Sequence, residues 1–339
     1  LLHFSNPQKN LLHLLADGKF HSGTQLASSL NISRAAIWKQ LEVLTADYGL
    51  DIIALRGKGY KLHRPLELLV AEQIKAALTP VAADLLTELE IYQRIDSTNR
   101  YLSDRAQQTL SGLVCLAETQ TAGKGRRGRQ WVSPFGNNIY LSLLWHYPND
   151  LSSIAGLSLA VGVAVIRALH SLGLTEIGLK WPNDIYWHKQ KLGGILIEVS
   201  GETGGSCHAV IGLGLNLYLP SKETATITQP WTDLSQIKGS ISYSRNTLTS
   251  LLLNHLLPVV ARFDSNGLKA YLPEWRAADV LLNQAVNLYI GDKKMSGLVA
   301  GIDDNGLLLF KNNAGEIKTF ASGEVSFHDA GINKTAILP

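Results

Sequence analysis

Two cysteines, Cys115 and Cys207, are too few to staple a chain of 339 residues. Both fall in apolar, strand-like runs, which points to free buried thiols in a reducing cytosol rather than to a disulfide framework. Methionine is almost absent: Met295 stands alone and the chain opens on Leu1, so further residues are expected ahead of it. The opening LLHFSNPQKNLLHLLADG lacks the charged start, apolar core and small-residue cleavage site of a secretory signal. No stretch offers the roughly 20 nearly uninterrupted apolar residues of a membrane span. The most apolar one, 154–172, is broken by Gly156, Ser158, Gly162, Arg167 and His170, and reads as a buried helix. A cytoplasmic protein with no membrane partner is the expectation. At 45% hydrophobic and 17% charged, with ordinary Pro and Gly usage, the composition excludes a disordered chain. The length allows two or three domains of about 100–200 residues each.

The net charge of +3 says little as a total, but its distribution says more. Residues 1–64 hold eight Lys/Arg against four Asp/Glu, and a second dense cluster lies at Lys124, Arg126, Arg127 and Arg129. Two basic surfaces imply two different anionic partners. Within the first segment, 8–16, 24–30 and 34–46 read as helices, with Ser33 placed to cap the third. Ile37, Leu41 and Leu44 give that helix one buried stripe. Two strands, 50–55 and 60–62, follow around Arg56-Gly57-Lys58-Gly59. This is the pattern of a winged helix-turn-helix, in which a helix fits the roughly 12 Å major groove and a basic hairpin reaches the backbone. Ser33, Arg34, Lys39 and Gln40 would then face DNA, with Arg56 and Lys58 in the wing; Trp38 suits either the wing contact or the DNA face. A protein-interaction module with solvated charges is the competing interpretation.

After Arg64-Pro65 a Leu/Ala-rich helical stretch is expected over 70–89. Strands at 91–94, 113–118 and 138–145, the helix 154–172, and strands near 178–181, 195–199 and 209–217 describe one central sheet with helices. Three clusters stand out. Asp96-Ser97-Thr98-Asn99 sits at a strand-to-helix junction and serves helix capping as well as ligand binding. The run from Glu118 to Trp131, ETQTAGKGRRGRQW, alternates Gly123, Gly125 and Gly128 with four cations. Such a loop cannot be core, because unpaired buried cations are too costly. It suits a phosphate, which backbone N–H groups and guanidinium forks can surround, although the P-loop and Rossmann glycine orders are both missing; nucleic-acid contact is its other use. The third cluster joins Lys180-Trp-Pro-Asn-Asp184 to Lys191-Leu-Gly-Gly194-Ile-Leu-Ile-Glu198, where Asp184 could hold Mg²⁺ on a triphosphate or the charges could form a structural network. Gly212-Leu-Gly-Leu-Asn216 adds a polar group beside glycine-cleared space.

Taken together, the winged segment, GKGRRGRQW, KWPND, KLGGILIE and GLGLN resemble the biotin–protein ligase family, in the bifunctional form that is also the biotin operon repressor. The resemblance covers nearly the whole chain. It implies a multidomain α+β fold: a winged helix-turn-helix over 1–64, a biotin- and ATP-binding catalytic domain over 65–283 whose mixed β-sheet resembles class II aminoacyl-tRNA synthetases, and an SH3-like β-barrel over 284–339. Short strands at 285–290, 294–302, 307–310 and 317–320 with tight Gly turns suit a small barrel, equally as a structural cap. The implied reaction joins biotin and ATP into biotinyl-5′-AMP and passes the acyl group to one lysine of a biotin carboxyl carrier protein.

The resemblance also implies residue roles. Ser97, Thr98, Asn99, Gln120, Gly123, Lys124, Gly125, Arg126, Lys191, Gly194 and Asn216 would hold biotin. Lys124, Arg126, Arg127, Arg129, Trp131, Lys180, Asn183, Asp184, Asn216 and Trp231 would hold ATP or the adenylate. Lys191, Arg126 and Lys180 would be catalytic, Lys191 foremost, because an ammonium beside the α-phosphate gains most as charge builds there. Lys124 stands where the family favours Arg, which keeps charge but loses the bidentate fork. Glu324 fits the family's terminal strand, while His328 stands where an Arg is expected. The adenylate-bound form would dimerise and bind operator DNA. A non-enzymatic biotin-sensing repressor and a lipoate-type ligase are the alternatives.

Overall fold

The computed structural model describes residues 5–201, 205–237 and 243–327. At the N-terminus three helices, α1 (Asn6–Leu15), α2 (Gly23–Leu30) and α3 (Arg34–Tyr48), precede a hairpin of β1 (Ile52–Leu55) and β2 (Gly59–Leu62). Each helix starts on a serine, Ser5, Ser22 or Ser33, whose side chain accepts a backbone N–H of the first turn. Asn31 and Gly49, both left-handed, end the second and third. Leu11, Leu12, Leu15, Leu26, Ile37 and Leu44 close a small core. Phe135, from far along the chain, completes that core at 4% exposure, edge-on to Tyr48 at 5.6 Å. Arg94 donating to the Asp47 carbonyl at 2.9 Å and Lys222 facing Asp51 at 3.4 Å add polar ties across the same junction.

The expected helical stretch 70–89 is instead α4 (Ala71–Ala76) and α5 (Pro80–Leu85), followed directly by strand β3 (Glu88–Tyr92). The break is local chemistry: Thr79 caps a new helix on Ala82 N, and Pro80 cannot continue the old one. Next come α6 (Thr98–Ser103), β4 (Leu113–Ala117), β5 (Ile139–Tyr147), α7 (Leu157–His170), β6 (Gly178–Lys180), β7 (Asp184–Trp187), β8 (Gln190–Gly201), β9 (Cys207–Leu215) and α8 (Arg245–Ala261). The seven strands form one mixed sheet in the order β3-β4-β5-β9-β8-β7-β6, parallel only between β3 and β4. Strand β7 was not foreseen; it turns the Lys180–Asp184 motif into a hairpin. One sheet face carries α7 and α8, the other α6. The segment Leu151–His170 is long and apolar enough to cross a membrane by composition, yet it is the core helix, 61% of its most apolar window being buried. Cys115 and Cys207 are buried free thiols, and burial pushes both upward in pKa.

Two short helices, α9 (Phe263–Asn266) and α10 (Leu272–Ala277), lead to β10 (Ala285–Ile290), β11 (Lys293–Ile302), β12 (Leu308–Asn312), β13 (Ile317–Phe320) and β14 (Glu324–Phe327). Among the described residues the expected SH3-like barrel is not closed. The strands form an open antiparallel sheet, β13-β12-β11-β10-β14, whose two edges do not pair with each other. The buried Val286, Leu288, Val299, Leu308 and Phe310 belong to a cluster continuous with the central core instead of filling a closed barrel, and the Trp181 indole donates to the Gly306 carbonyl at 3.1 Å. His328 lies outside the described residues.

One buried knot fastens these parts. Arg245, 4% exposed, donates to Glu118 at 2.6 Å, to the Glu67 carbonyl at 2.7 Å and to the Asn138 carbonyl at 2.8 Å. Glu118 also accepts Leu69 N at 2.7 Å. Removing one partner of a buried pair strands the other charge, so Arg245→Met should lower unfolding stability by about 3–5 kcal/mol. Urea titration checks this; a loss under 1 kcal/mol, about what an exposed pair contributes, would show that the knot is not holding the fold.

Candidate active site

The floor of the site is the α6 face of the central sheet. Ser97 caps α6, and Thr98 N donates to Gln120 Oε1 at 2.9 Å. The Ser142 hydroxyl lies 2.7 Å from Thr98 Oγ1 and 2.6 Å from Asn99 Oδ1. Asn99 Nδ2 donates to Glu198 at 2.9 Å, and Glu198 in turn receives Lys124 Nζ at 3.0 Å. A continuous polar chain thus runs from Gln120 under α6 to the Gly-rich loop. The space cleared by glycines on β9 belongs to the protein's own side chains. A Cβ on Gly212 would lie 2.2 Å from Asn99 Oδ1, and one on Gly214 2.4 Å from the Trp131 ring. Trp131 therefore lies flat on the sheet; its buried indole N–H has no acceptor among the described residues, leaving a donor for a ligand or water.

The Gly-rich loop is folded back on itself. Gly125 N donates to Arg129 O at 2.7 Å and Trp131 N to Gly123 O at 2.8 Å. Arg127 at φ 56° and Gly128 at φ 73° make the reversal. Its cations reach different partners: Arg126 donates to Asn183 Oδ1 at 2.8 Å, while Arg127, at 3.6 Å, and Arg129 both pair with Glu324 of the C-terminal sheet. Burial lowers the Arg126 pKa, opposed by Asp184. In the hairpin, Asp184 takes Lys191 Nζ at 2.8 Å and Lys180 Nζ at 3.9 Å. Lys180 is 7% exposed, and burial lowers its pKa, with Asp184 opposing and Lys191 reinforcing the shift.

These elements enclose a cavity of about 600 Å³. Eight Lys and Arg side chains line it against two carboxylates, Asp184 and Glu324, an imbalance suited to a polyanion. Ser97, Thr98, Asn99, Gln120, Lys124, Gly125, Arg126, Arg127, Arg129, Trp131, Lys180, Asn183, Asp184, Lys191 and Gly194 all face it. Asn216 and Trp231 line a smaller adjoining cavity of about 390 Å³, which shares Arg129, Trp131 and Lys191 with the first. Gly123 lines neither; a Cβ there would lie 2.6 Å from Trp131 O, so its part is in the loop's base. Tyr186, Lys189, Gln229, Asn287, Tyr289 and Lys294 also line the main cavity and were not foreseen. Only the alternation of β7 could have suggested Tyr186; the C-terminal residues gave no signal, because their sheet arrives by tertiary docking. Ser33, Arg34, Lys39, Arg56 and Lys58 are exposed on the winged domain, and Gln40 is half-buried. Trp38 is 52% exposed.

A cation-lined cavity on a mixed sheet, joined to a winged helix, defines a nucleotide-using enzyme with a DNA-reading module. The Biotin/lipoate A/B protein ligase family matches residues 91–216, an HTH domain 7–61, and the Biotin protein ligase C terminal domain 281–328. The chain is 42% identical over 320 residues to the bifunctional ligase/repressor BirA of Escherichia coli (strain K12), covering 94% of this chain and 97% of that protein. It is 28% identical over 326 residues to the protein of the same name from Bacillus spizizenii, covering 94% and 98%. Among solved structures, the biotin protein ligase from Aquifex aeolicus in complex with biotin and ATP superposes with a TM-score of 0.59 at 27% identity, covering 72% of this chain and 99% of that one. The chain belongs to the biotin protein ligase family, in its bifunctional ligase/repressor form.

Burial lowers the Lys180 pKa despite Asp184, and Asp184 keeps Lys191 as its partner at 2.8 Å if Lys180 is removed, so no charge is stranded. Lys180→Met should therefore raise the stability of the ligand-free chain by about 1–2 kcal/mol. Urea unfolding without ligands measures it; a decrease would mean that the Asp184 contact outweighs burial.

Proposed function

We propose that this ATP-dependent ligase joins biotin to AMP and passes the biotinyl group to one lysine of a biotin carboxyl carrier protein. The observation that carries this reading is the meeting of three separate sequence segments in one cavity: Ser97–Gln120, the Lys124–Arg129 loop, and the Lys180–Lys191 hairpin. The relative solved with biotin and ATP supports the choice of ligands. Ser97, Thr98, Asn99, Gln120, Gly123, Gly125, Gly194 and Asn216 serve the biotin end, held by the polar chain under α6. Asn99 spends its amide on Glu198 and the Leu196 carbonyl, so it acts by holding that chain in register. Arg126, Arg127, Arg129, Lys180 and Asn183 face the phosphates, and Trp131 and Trp231 shield the two cavities.

In the first step, a biotin carboxylate oxygen forms a bond to the α-phosphorus and pyrophosphate leaves with the electrons of the broken P–O bond. Lys191, now held by Asp184, is the cation placed to answer charge growing on the non-bridging oxygens. Among the described residues no group of three or more His, Cys, Asp or Glu is placed to hold a metal. Asp184 would be the carboxylate to hold Mg²⁺ brought in on ATP, and the ion would supply neutralisation of phosphate charge. The second step needs no protein nucleophile: the carrier lysine attacks the mixed anhydride, and positioning supplies the rate. The domains assigned to these tasks are 1–64, 65–283 and 284–339, in the cytoplasm.

Incubating a carrier domain with the chain, biotin, ATP and Mg²⁺ should add one biotin mass by intact-mass spectrometry. Lys191→Ala should slow that addition by about 100-fold or more, as loss of a transition-state donor does. No addition, with the carrier shown competent by another ligase, would leave a biotin-sensing repressor or a lipoate-type enzyme. For repression, we propose that adenylate binding orders the loop and brings two chains together, so that two winged domains meet a two-fold operator. Sedimentation at micromolar protein should show a monomer shifting to dimer with biotinyl-5′-AMP; an unchanged monomer would sink this part.

A further inference from the structure

The C-terminal sheet presents a polar face to the cavity. On β10, Val286 and Leu288 go to the core while Asn287 and Tyr289 line the site, the alternation of a strand buried on one side. Across the ladder, Tyr289 lies opposite Lys294 on β11 and Glu324 on β14, and residues directly opposite share a face. One row, Lys294–Tyr289–Glu324, therefore runs along the cavity wall and ends where Glu324 receives Arg127 and Arg129.

The cavity's cations divide by their partners. Lys124 is paired with Glu198, Arg127 and Arg129 with Glu324, Lys180 and Lys191 with Asp184, and Arg126 with Asn183. Lys189 and Lys294 have no carboxylate partner among the described residues. Each lies near an aromatic ring of the C-terminal sheet instead: Lys189 Nζ is 5.3 Å from the Phe327 centroid and Lys294 Nζ 6.0 Å from that of Tyr289. Phe327 is in turn 6.1 Å from Tyr186, over which Lys180 sits at 5.0 Å. The two ammoniums without a carboxylate partner thus line the same cavity as Lys180, beside the aromatic rings of Tyr186, Phe327 and Tyr289.

We propose that Lys189 and Lys294 form a subsite for the pyrophosphate group, holding the β- and γ-phosphates of ATP and then the free pyrophosphate. This rests on the ligase reading above. When the bond between the α-phosphorus and the bridging oxygen breaks, its electron pair and a full negative charge go to pyrophosphate. Cations already committed to Asp184 and Glu324 are partly neutralised, whereas the uncommitted pair meets that charge undiminished. Both lysines are exposed at the cavity rim, so the contact is open to water and weakens with salt.

Biotin-dependent ATP–pyrophosphate exchange tests the subsite, using wild type, Lys189→Ala, Lys294→Ala, the double variant and Lys294→Arg. Each alanine should raise the KM for ATP and the inhibition constant of pyrophosphate by roughly three- to tenfold. The double variant should do more, Lys294→Arg should restore most of the loss, and the KM for biotin should hold. A rise in the KM for ATP alone would confine the pair to the bound triphosphate and overturn the product-holding half. Unchanged values in variants of an active wild type would overturn the proposal, as would slower transfer from supplied biotinyl-5′-AMP to the carrier, which would assign the lysines to carrier docking. A wild type without any exchange would overturn the ligase reading instead.

Discussion

The buried pair of Arg245 and Glu118 is the constraint on which the rest of the molecule depends. Glu118 is the first residue of the Gly-rich segment, and its carbonyl accepts Gly136 N at 2.9 Å, so one residue pins both ends of the excursion that holds the loop. Its carboxylate fixes the interdomain linker through Leu69 N, and Arg245 binds that linker again through the Glu67 carbonyl. A guanidinium with five donors and no acceptor is the side chain able to tie three carbonyl and carboxylate groups at once. The loop can then be glycine-rich and strongly charged without loosening the domain that carries it.

The charge of the site follows the same pattern of a few acids holding many cations. Glu198 and Glu324 hold basic side chains of the distant Gly-rich loop, and Asp184 holds two lysines of its own hairpin. These pairs are half-exposed around the loop and buried at the hairpin, so the loop can exchange partners at small cost while Lys180 and Lys191 stay in register. Glycines serve this arrangement less by freeing backbone than by making room: Gly212 admits Asn99 and Gly214 admits Trp131 against the sheet. The segment after Trp131 then reaches Phe135, which fills the winged domain's core. The cation-rich loop that lines the cavity and the residue that completes the winged domain's core are six positions apart, Arg129 to Phe135, on one stretch of chain.

How far each part could be read before its coordinates depended on how local its determinants are. The winged domain was legible because serine caps, a left-handed Asn31 and the stripe of Ile37, Leu41 and Leu44 act within a few residues. The segments of the site were legible too, because dense cations among glycines and a Lys-Trp-Pro-Asn-Asp run have few uses in a core. The helical stretch over 70–89 was misjudged because its Leu and Ala content outweighed the Thr79-Pro80 break, which turns the chain and frees 88–92 to become an edge strand. The barrel was misjudged because strand lengths and glycine turns do not encode whether edges meet.

The sequence by itself determined the family, the three working segments, and which residues were too charged to be buried without a purpose. Only the tertiary structure decided that the five described C-terminal strands stay open and bring Glu324, Tyr289 and Lys294 to a cavity otherwise lined by residues 97–230. It alone decided that the glycines of β9 receive the protein's own side chains. Caps and helical stripes are settled by neighbours within a turn or two, whereas sheet closure and cavity walls are settled by burying apolar faces of distant segments against one another.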